Sequence, residues 1–143
     1  MLISINDKVR ESAIQELIGY CVIPDPERIE NAIRLYEADS GHELFGFEEE
    51  GAIVGIVGII MDEHNGLTVK HIAVEPESRG QGYGRDMMLA LIELKNPQRI
   101  TAETDEEAVD FYRNIGFTIE SLGEKYPGIE RFQCTYLTEL NDE

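Results

Sequence analysis

Residues 71–89 of the chain read HIAVEPESRGQGYGRDMML. This stretch begins with a short apolar run that stops at Pro76, continues through three glycines spaced two apart, and ends in a segment with the apolar spacing of an amphipathic helix. The order strand, glycine-rich loop, helix is typical of a phosphate cradle, because the first turn of a helix has unpaired N–H groups and a positive dipole end. Glycine lets the backbone approach an anion without an intervening Cβ atom.

The spacing of these glycines narrows the class of ligand. A Walker loop needs Lys followed by Ser or Thr after its last glycine, whereas Arg85 and Asp86 follow Gly84 here. A Rossmann fingerprint needs the spacing G-x-G-x-x-G, which is also absent. A glycine cluster by itself is more often a tight turn. The strand before this cluster and the helix after it favour a ligand loop instead.

A second segment, residues 102–117, reads AETDEEAVDFYRNIGF. It contains the pattern A-x-x-F-Y-x-x-x-G-F, and the first segment contains R-x-x-G-x-G directly after I-A-V-x-P. Together these two motifs resemble those of the GNAT (GCN5-related N-acetyltransferase) superfamily. The pair in this order is much more specific than either motif alone. The resemblance implies an enzyme that transfers an acetyl group from acetyl-coenzyme A directly to a primary amine.

The resemblance also implies which residues bind acetyl-coenzyme A (acetyl-CoA). Strand backbone would pair with the pantetheine arm and polarise the thioester carbonyl, and loop N–H groups would hold the pyrophosphate. The implied cofactor-binding residues are Ile72, Ala73, Val74, Arg79, Gly80, Gln81, Gly82, Tyr83, Gly84, Arg85 and Asp105. The Arg79 side chain fits a charged contact and a loop-stabilising role equally well. Family members usually have Asn where this chain has Asp105, so a hydrogen-bond donor is missing there, and a simple helix-start charge is the alternative.

Tyr112 is the residue that the resemblance implies as catalytic, because a phenol can protonate the departing thiolate as a general acid. The alternative is a half-buried tyrosine beside Phe111 with its hydroxyl hydrogen-bonded. The general base stays unassigned, since water can relay the proton. The side chains considered for it are Thr68, Lys70, His71 and Glu103, of which His71 is more readily explained by a structural hydrogen bond.

Length and composition limit the number of domains and the classes of partner. A chain of 143 residues with 42% hydrophobic content predicts one globular domain, residues 1–143. The formal charge of −17 argues against nucleic acid as a partner. The longest apolar run, Ala52 to Met61, is too short to span a bilayer, so no membrane association is predicted. No metal-ligand cluster is visible, and no metal is expected.

Cellular location is inferred from the cysteines and the N-terminus. The chain has only Cys21 and Cys134, which are far apart and are interpreted as free thiols, with a disulfide or a metal site as the poorer alternatives. The first residues lack the basic and apolar regions of a secretion signal. A cytoplasmic protein is therefore expected.

Hydrophobic periodicity predicts the order of elements. Helices are predicted over 7–18, from Asp25-Pro26, over 82–95, and from an N-cap at Thr104 through Ile115. Strands are predicted over 2–5, 44–49, 52–61, 67–75, 100–103, 117–120 and 131–137, with a polar loop over 121–130. This order matches the GNAT order. The expected fold is α/β, with a mixed, mostly antiparallel sheet that contains a central parallel strand–helix–strand unit and is flanked by helices.

Two other functions remain open at this point. One is a non-catalytic sensor that binds acetyl-CoA in the same fold, and the other is an acyltransferase with a longer donor or an oxygen acceptor. The acceptor is expected to be a small-molecule or peptide amine, shaped by residues 20–26 and by the loop around Tyr126. A homodimer is possible because the family often forms dimers. The sequence identifies neither the acceptor nor the oligomeric state.

Overall fold

A computed structural model describes residues 1–22, 25–38 and 40–138. Its helices are α1 (Ser12–Gly19), α2 (Pro26–Glu37), α3 (Tyr83–Lys95) and α4 (Val109–Asn114). Its strands are β1 (Leu2–Ser4), β2 (Glu43–Glu49), β3 (Ala52–Met61), β4 (Gly66–Val74), β5 (Arg99–Asp105), β6 (Thr118–Tyr126) and β7 (Ile129–Leu137). Short 3₁₀ turns lie at Asn6–Lys8 and Pro76–Ser78. Within these residues, none of the helices has the length and apolar character needed to cross a membrane.

The strands form one seven-stranded sheet in the order β1-β2-β3-β4-β5-β7-β6. Strand β2 is antiparallel to both β1 and β3, and β7 is antiparallel to both β5 and β6. Strands β4 and β5 are parallel, with Gly66 opposite Arg99 and Val69 opposite Ala102. Helix α3 connects these two strands in the chain. The predicted mixed, mostly antiparallel α/β sheet with its parallel strand–helix–strand unit is therefore confirmed.

The chain divides into two compact units. The first unit comprises Met1–Ile60 and Lys70–Lys95, and the second comprises Met61–Val69 and Asn96–Glu143. The core of the first unit is a cluster of buried apolar side chains from both N-terminal helices and from strands β2 to β4, among them Ile14, Ile18, Ile33, Leu44 and Ile56. This cluster gives α1 and α2 a common apolar layer against the sheet.

The start of α2 follows the local signals in the sequence. The Asp25 side chain accepts a hydrogen bond from the Glu27 N–H (3.0 Å), and Pro26 occupies the first turn as predicted. The predicted helix over 7–18 is wrong in one respect, because the chain forms a 3₁₀ turn and then breaks at Glu11 before α1. Glu11 is extended (ψ 140°). Its neighbours Val9 and Ile14 are both buried, so apolar spacing continues across the break and hides it.

The predicted N-cap at Thr104 is also wrong. Thr104 belongs to β5, where its buried side chain stands opposite Phe132 of β7. Strand pairing extends β5 by two residues beyond the predicted end, and α4 begins only at Val109, with Ala108 as an N-cap that makes no side-chain hydrogen bond. Asp105 caps the intervening turn, because its Oδ1 accepts hydrogen bonds from the N–H groups of Glu107 (3.0 Å) and Ala108 (3.3 Å).

The polar loop predicted over 121–130 is a hairpin. Strands β6 and β7 pair through most of this segment, with Tyr126 opposite Ile129 at the turn. The register shifts between Ser121 and Gly123 and again between Glu124 and Tyr126, and Gly123 has φ +79°. These irregularities break the two-residue alternation that would have predicted a strand.

The two glycines inside β3 are explained by close packing. A Cβ at Gly55 would lie 2.9 Å from the Ala73 carbonyl oxygen and 3.1 Å from Met87 Cε. A Cβ at Gly58 would overlap the hydroxyl and ring of Tyr36, which is only 2% exposed. The pairing of β2 with β3 also shifts register next to Gly55. Both features that a glycine inside a strand indicates, a bulge and a close approach of another chain segment, are therefore present.

Replacing Gly58 with alanine tests this packing. We expect Gly58→Ala to lower the free energy of unfolding by roughly 1–3 kcal/mol, because the buried Tyr36 ring has to move. Urea denaturation measures the change. Gly19→Ala is the control, since its Cβ would make only an ordinary contact of 3.7 Å with Ile29 and alanine favours a helix. Equal midpoints for Gly58→Ala and the wild type would contradict the prediction.

Candidate active site

The end of β4 offers backbone groups along one edge. The Glu75 N–H donates to the Val54 carbonyl of β3 (2.8 Å), so Ile72 and Val74, which alternate with it, direct their backbone groups to the opposite edge. On that edge the pairing of β4 with β5 ends at Val69. The Ile72 N–H contacts the Cys21 thiol, and the Val74 carbonyl accepts from Arg79. The Val74 N–H has no partner among the described residues.

The loop after β4 presents successive N–H groups. Gly80 and Gly82 have φ +81° and +84°, in the region that favours glycine, and a Cβ at either would meet no atom within 4 Å. The N–H groups of residues 80–82 have no hydrogen-bond partner in the part of the chain that is described. The Gly82 carbonyl accepts the first helical bond of α3, from the Asp86 N–H (2.9 Å), so the N–H groups of residues 83–85 point out of the helix start.

This arrangement fits an anionic group such as a pyrophosphate. Open space lies above both glycines, the N–H donors are unpaired, and the positive end of the α3 dipole adds to them. The loop thus brings together the implied cofactor-binding residues 79–85. The exposed Arg85 side chain forms no ion pair with a described residue.

Arg79 ties the loop to the rest of the first unit. Its Nε donates to the Val74 carbonyl (2.9 Å), and its guanidinium lies over the Tyr20 ring, 5.3 Å from the centroid. The loop-stabilising role that the sequence left open is therefore present. The two terminal nitrogens of the guanidinium remain for a charged contact, because Nε makes the hydrogen bond.

Helix α3 is fixed in position by its first two turns. Met87 is fully buried, and its side chain fills the space where a Cβ of residue 55 would lie. The Tyr83 ring packs on Phe47 of β2, with 5.6 Å between the ring centroids. A helix held in this way keeps its N-terminal N–H groups in a constant place relative to the end of β4. Binding sites profit from such support because less motion has to be lost when a ligand binds.

Tyr112 and Asp105 lie in the second unit. Tyr112, in α4, is 3% exposed, and its ring packs between Phe111 (5.0 Å) and Phe117 (5.2 Å). Burial among aromatic rings is the setting expected if Tyr112 has a packing role rather than a catalytic one. Asp105 uses Oδ1 to cap the turn before α4, as the helix-start alternative expected, which leaves Oδ2 for other contacts.

Three of the candidate bases are engaged in other contacts. Thr68 Oγ1 lies 3.3 Å from Thr101 Oγ1, and Glu103 accepts from Arg131 Nε at 3.1 Å. His71 Nδ1 lies 2.5 Å from the Tyr36 hydroxyl, which is the structural hydrogen bond favoured for it. Burial, followed by the charges of Lys70 and His42, lowers the pKa of His71 to about 4.

The pairing of Tyr36 with His71 is the part of this region that sequence reasoning missed. Helical spacing places Tyr36 on the buried face of its helix and indicates no polar role. Its hydroxyl is buried, and burial raises its pKa well above the ordinary value. Among described residues its hydrogen-bond partner is His71 Nδ1. A buried hydroxyl leaves its proton unsatisfied unless it donates, and on this argument we assign Nδ1 as the acceptor and place the ring proton of a neutral His71 on Nε2. The only sequence signal was Gly58, whose missing side chain makes room for the Tyr36 ring.

The two cysteines are free in the described structure. Burial raises the pKa of the Cys21 thiol to about 12, so it is protonated at neutral pH. Burial also raises the pKa of Cys134. A protonated thiol is a poor nucleophile, and neither cysteine is prepared to form a covalent intermediate. No group of three or more metal-ligating side chains occurs in residues 1–22, 25–38 and 40–138.

Comparison with known proteins decides the family. The family model described as "Acetyltransferase (GNAT) domain" matches residues 40–119, which is more than half of the chain. The chain belongs to the GNAT family of acetyltransferases. An uncharacterized N-acetyltransferase from the lysA 3′ region of Bacillus methanolicus is 30% identical over 70 residues. This alignment covers 49% of the GNAT chain described here and 58% of the relative. The chain spans less than two thirds of the length of such curated relatives.

Solved GNAT structures share the fold over nearly the whole chain. A GNAT family acetyltransferase from Elizabethkingia anophelis with acetyl-CoA bound superposes with a TM-score of 0.71 at 15% identity, covering 96% of this chain and 97% of the other. Mutant forms of the spermidine/spermine N-acetyltransferase SpeG from Vibrio cholerae superpose with a TM-score of 0.74 at 18% identity, covering 96% of this chain and 92% of the other. At such identities these likenesses establish the fold.

The acceptor region predicted for this GNAT chain is described in part. Residues 23 and 24, within the predicted segment 20–26, lie outside the described residues, as does the side chain of Tyr126. Of the remainder, Tyr20 lies beneath the Arg79 guanidinium, and Cys21 contacts the Ile72 N–H. The end of α1 is therefore packed against β4 and the loop that follows it.

The buried histidine makes stability depend on pH. His71 in the unfolded chain titrates near pH 6.5 and in the folded chain near 4, so the unfolded chain binds more protons between these values. We expect the free energy of unfolding to fall by up to about 3 kcal/mol as the pH drops through this window. His71→Asn keeps an acceptor for Tyr36 without a titrating ring, and it should remove this part of the slope.

Urea denaturation between pH 4 and 7 measures the effect. His64→Asn is the matched control, because the His64 side chain is 77% exposed and its replacement should leave the slope unchanged. Parallel curves for His71→Asn and the wild type would show that His71 is not held neutral by the fold.

Proposed function

We propose that this protein is an acetyl-CoA-dependent N-acetyltransferase that transfers the acetyl group directly to a primary amine, and that its 143 residues act as a single domain. The observation that carries the proposal is the series of N–H groups from Gly80 to Arg85, at the start of α3, that have no hydrogen-bond partner among the described residues. Membership of the GNAT family supports it, because the loop lies within the matched residues 40–119 and carries the R-x-x-G-x-G motif that resembles the family's cofactor loop.

In this proposal the first unit binds the co-substrate through its backbone. The loop N–H groups hold the pyrophosphate, and the pantetheine arm pairs, as an added strand would, with the part of β4 beyond Val69, where the pairing with β5 ends. The unpartnered Val74 N–H is the donor best suited to polarise the thioester carbonyl. Such a donor stabilises the charge that develops on the carbonyl oxygen in the transition state. Arg79 holds Val74 and the loop together, and so positions both groups.

The proposed reaction needs few protein groups. The nitrogen of a neutral amine attacks the thioester carbonyl carbon, the carbon–sulfur bond breaks, and the Tyr112 hydroxyl protonates the thiolate. Water takes the proton that the amine nitrogen loses, and a proton from water returns to the Tyr112 phenolate, which restores the hydroxyl. His71 is unsuited to that role, because its Nε2 carries a proton and its pKa is about 4. Direct transfer agrees with the protonated state of both cysteines.

Calorimetric titration with acetyl-CoA tests the loop. We expect one acetyl-CoA per chain for the wild type, and binding at least roughly tenfold weaker for Gly82→Ala, whose Cβ would project into the open anion site. Gly51→Ala is the matched control, since Gly51 has almost the same φ (+82°) and equally open surroundings but lies in the turn between β2 and β3. ATP and NAD should not bind. Equal affinities for both variants would show that residues 79–84 form only a turn.

Replacing Tyr112 with phenylalanine tests catalysis. We expect Tyr112→Phe to lower kcat by about 10²–10⁴-fold, the usual contribution of a general acid, with acetyl-CoA affinity unchanged. Release of coenzyme A thiol in the presence of an amine panel measures the rate. Tyr136→Phe is the control, because Tyr136 also packs on Phe117 and should keep full activity. A wild type that binds acetyl-CoA and acetylates nothing would favour the sensor function.

A further inference from the structure

A depression of about 340 Å³ lies in the first unit, between α2 and the middle of β4. Its polar lining comes from Arg28 and Asn31 of α2 and from Lys70 and His71 of β4. Apolar side chains, including Leu35, form the rest of the wall. This volume is at the small end of the range for sites that hold small molecules. Lys70 and His71 lie on the same strand as Val74, the proposed thioester donor, which is three residues beyond His71.

The charge of this lining is opposite to that of the protein. The chain has 29 acidic and 12 basic residues, yet no carboxylate of a described residue lines the depression. A second depression of about 480 Å³ has the balanced composition expected for such a chain. There Arg10 bonds to Glu37 (2.7 Å) and Glu30 (2.8 Å). The cationic lining beside β4 is therefore a local departure from the overall composition.

The cations in the depression also lack partners. Neither Arg28 nor Lys70 forms an ion pair with any residue in the described ranges. Other basic side chains do form such pairs: Arg10, Arg34, Lys95, Arg99, Arg113 and Arg131. In an acidic protein, two unpaired cations at one depression leave charge for a ligand to neutralise.

His71 adds a donor to these cations. The Tyr36 hydroxyl is hydrogen-bonded to Nδ1. The Nε2 N–H is therefore the ring group that remains available to a ligand. Arg28, Lys70 and His71 can thus only donate hydrogen bonds there, and the Asn31 amide can donate as well. These hydrogen-bond donors match the acceptor oxygens of a carboxylate or a phosphate. The positive charges of Arg28 and Lys70 would repel a polyamine, which carries only positive charge.

We propose that this depression binds an anionic group of the acceptor, so that the acetylated substrate is an amine that also carries a carboxylate or a phosphate. This inference rests on the proposed N-acetyltransferase function and specifies its substrate class. The apolar wall would contact the carbon skeleton between the amine and the anion. The amine would then extend toward the strand edge at Ile72 and Val74.

Matched pairs of acceptors test the substrate class. Each common amino acid is assayed beside its α-amide, and O-phosphoethanolamine beside ethanolamine, with spermidine as the polycation. Coenzyme A release should be faster by roughly tenfold or more in kcat/KM, calculated for the concentration of neutral amine, for the anionic member of at least one pair. The amino-acid pairs and the phosphate pair distinguish the two sources of anion. Equal rates within every pair, or a preference for spermidine, would overturn the inference.

Variants locate the effect in the depression. Arg28→Gln and Lys70→Gln should each raise KM for the anionic acceptor by roughly fivefold or more, with little change in kcat and in acetyl-CoA affinity. Lys70→Glu should move the preference toward the neutral amide. Arg34→Gln is the control on the same helix, because Arg34 pairs with Glu30 and does not line the depression.

The two proposals fail in different ways. A protein that binds acetyl-CoA but acetylates none of the anionic amines contradicts the anionic acceptor, and the cofactor proposal stands. Unchanged KM values in both Arg28→Gln and Lys70→Gln would show that the acceptor does not bind in the depression. Absence of acetyl-CoA binding in calorimetry rejects the proposed function itself, and the acceptor inference falls with it.

Discussion

The close approach of the backbone at Gly55 is the constraint on which the candidate site depends. A side chain there would strike the Ala73 carbonyl and the Met87 methyl, so only glycine lets the end of β4 and the start of α3 pack on β3 together. The hydrogen bond from Arg79 to Val74 then closes the loop between them. The N–H groups proposed to bind the pyrophosphate are consequently fixed by packing that involves residues outside the loop. A backbone site has no side chains that can adjust, and it needs this rigidity.

Charge is organised locally in a protein whose overall field is negative. Arg10 neutralises two glutamates at the junction of the N-terminal turn and α2, and Arg131 pairs with Glu103 between β7 and β5. Six of the twelve basic residues form ion pairs of this kind within the described part of the chain. The exceptions that line the depression beside β4 and the loop after it are Arg28, Lys70, Arg79 and Arg85. A distant anion meets repulsion from the net charge, which salt screens, and short-range contacts with these cations act only once it arrives.

Features specified by neighbours in the chain could be predicted from the sequence. Asp25 and Pro26 start α2, and the glycine motif forms the loop before α3, because these effects act within a few residues. The late start of α4 at Val109 follows from the strand pairing that extends β5 through Asp105, which apolar spacing does not report. The break at Glu11 lies between two buried apolar residues whose spacing hides it. The β6–β7 hairpin was missed because two register shifts disturb its alternation. The hydrogen bond between Tyr36 and His71 joins residues 35 positions apart. Its only signal in the sequence is Gly58, whose missing side chain makes room for the Tyr36 ring.

The state of His71 bears on how the proposed reaction proceeds without a dedicated base. A histidine that donates from Nε2 and resists protonation binds an anion well and accepts a proton poorly. The amine must then lose its proton to water before it attacks. Ordinary pKa values are about 8 for an α-amino group of a peptide and about 10.4 for a lysine-type amine, so near neutral pH the neutral fraction differs by roughly 200-fold. An enzyme with this site serves acceptors of low amine pKa best. An α-amine on a carboxylate-bearing peptide meets that requirement together with the charge of the depression, whereas a polyamine meets neither.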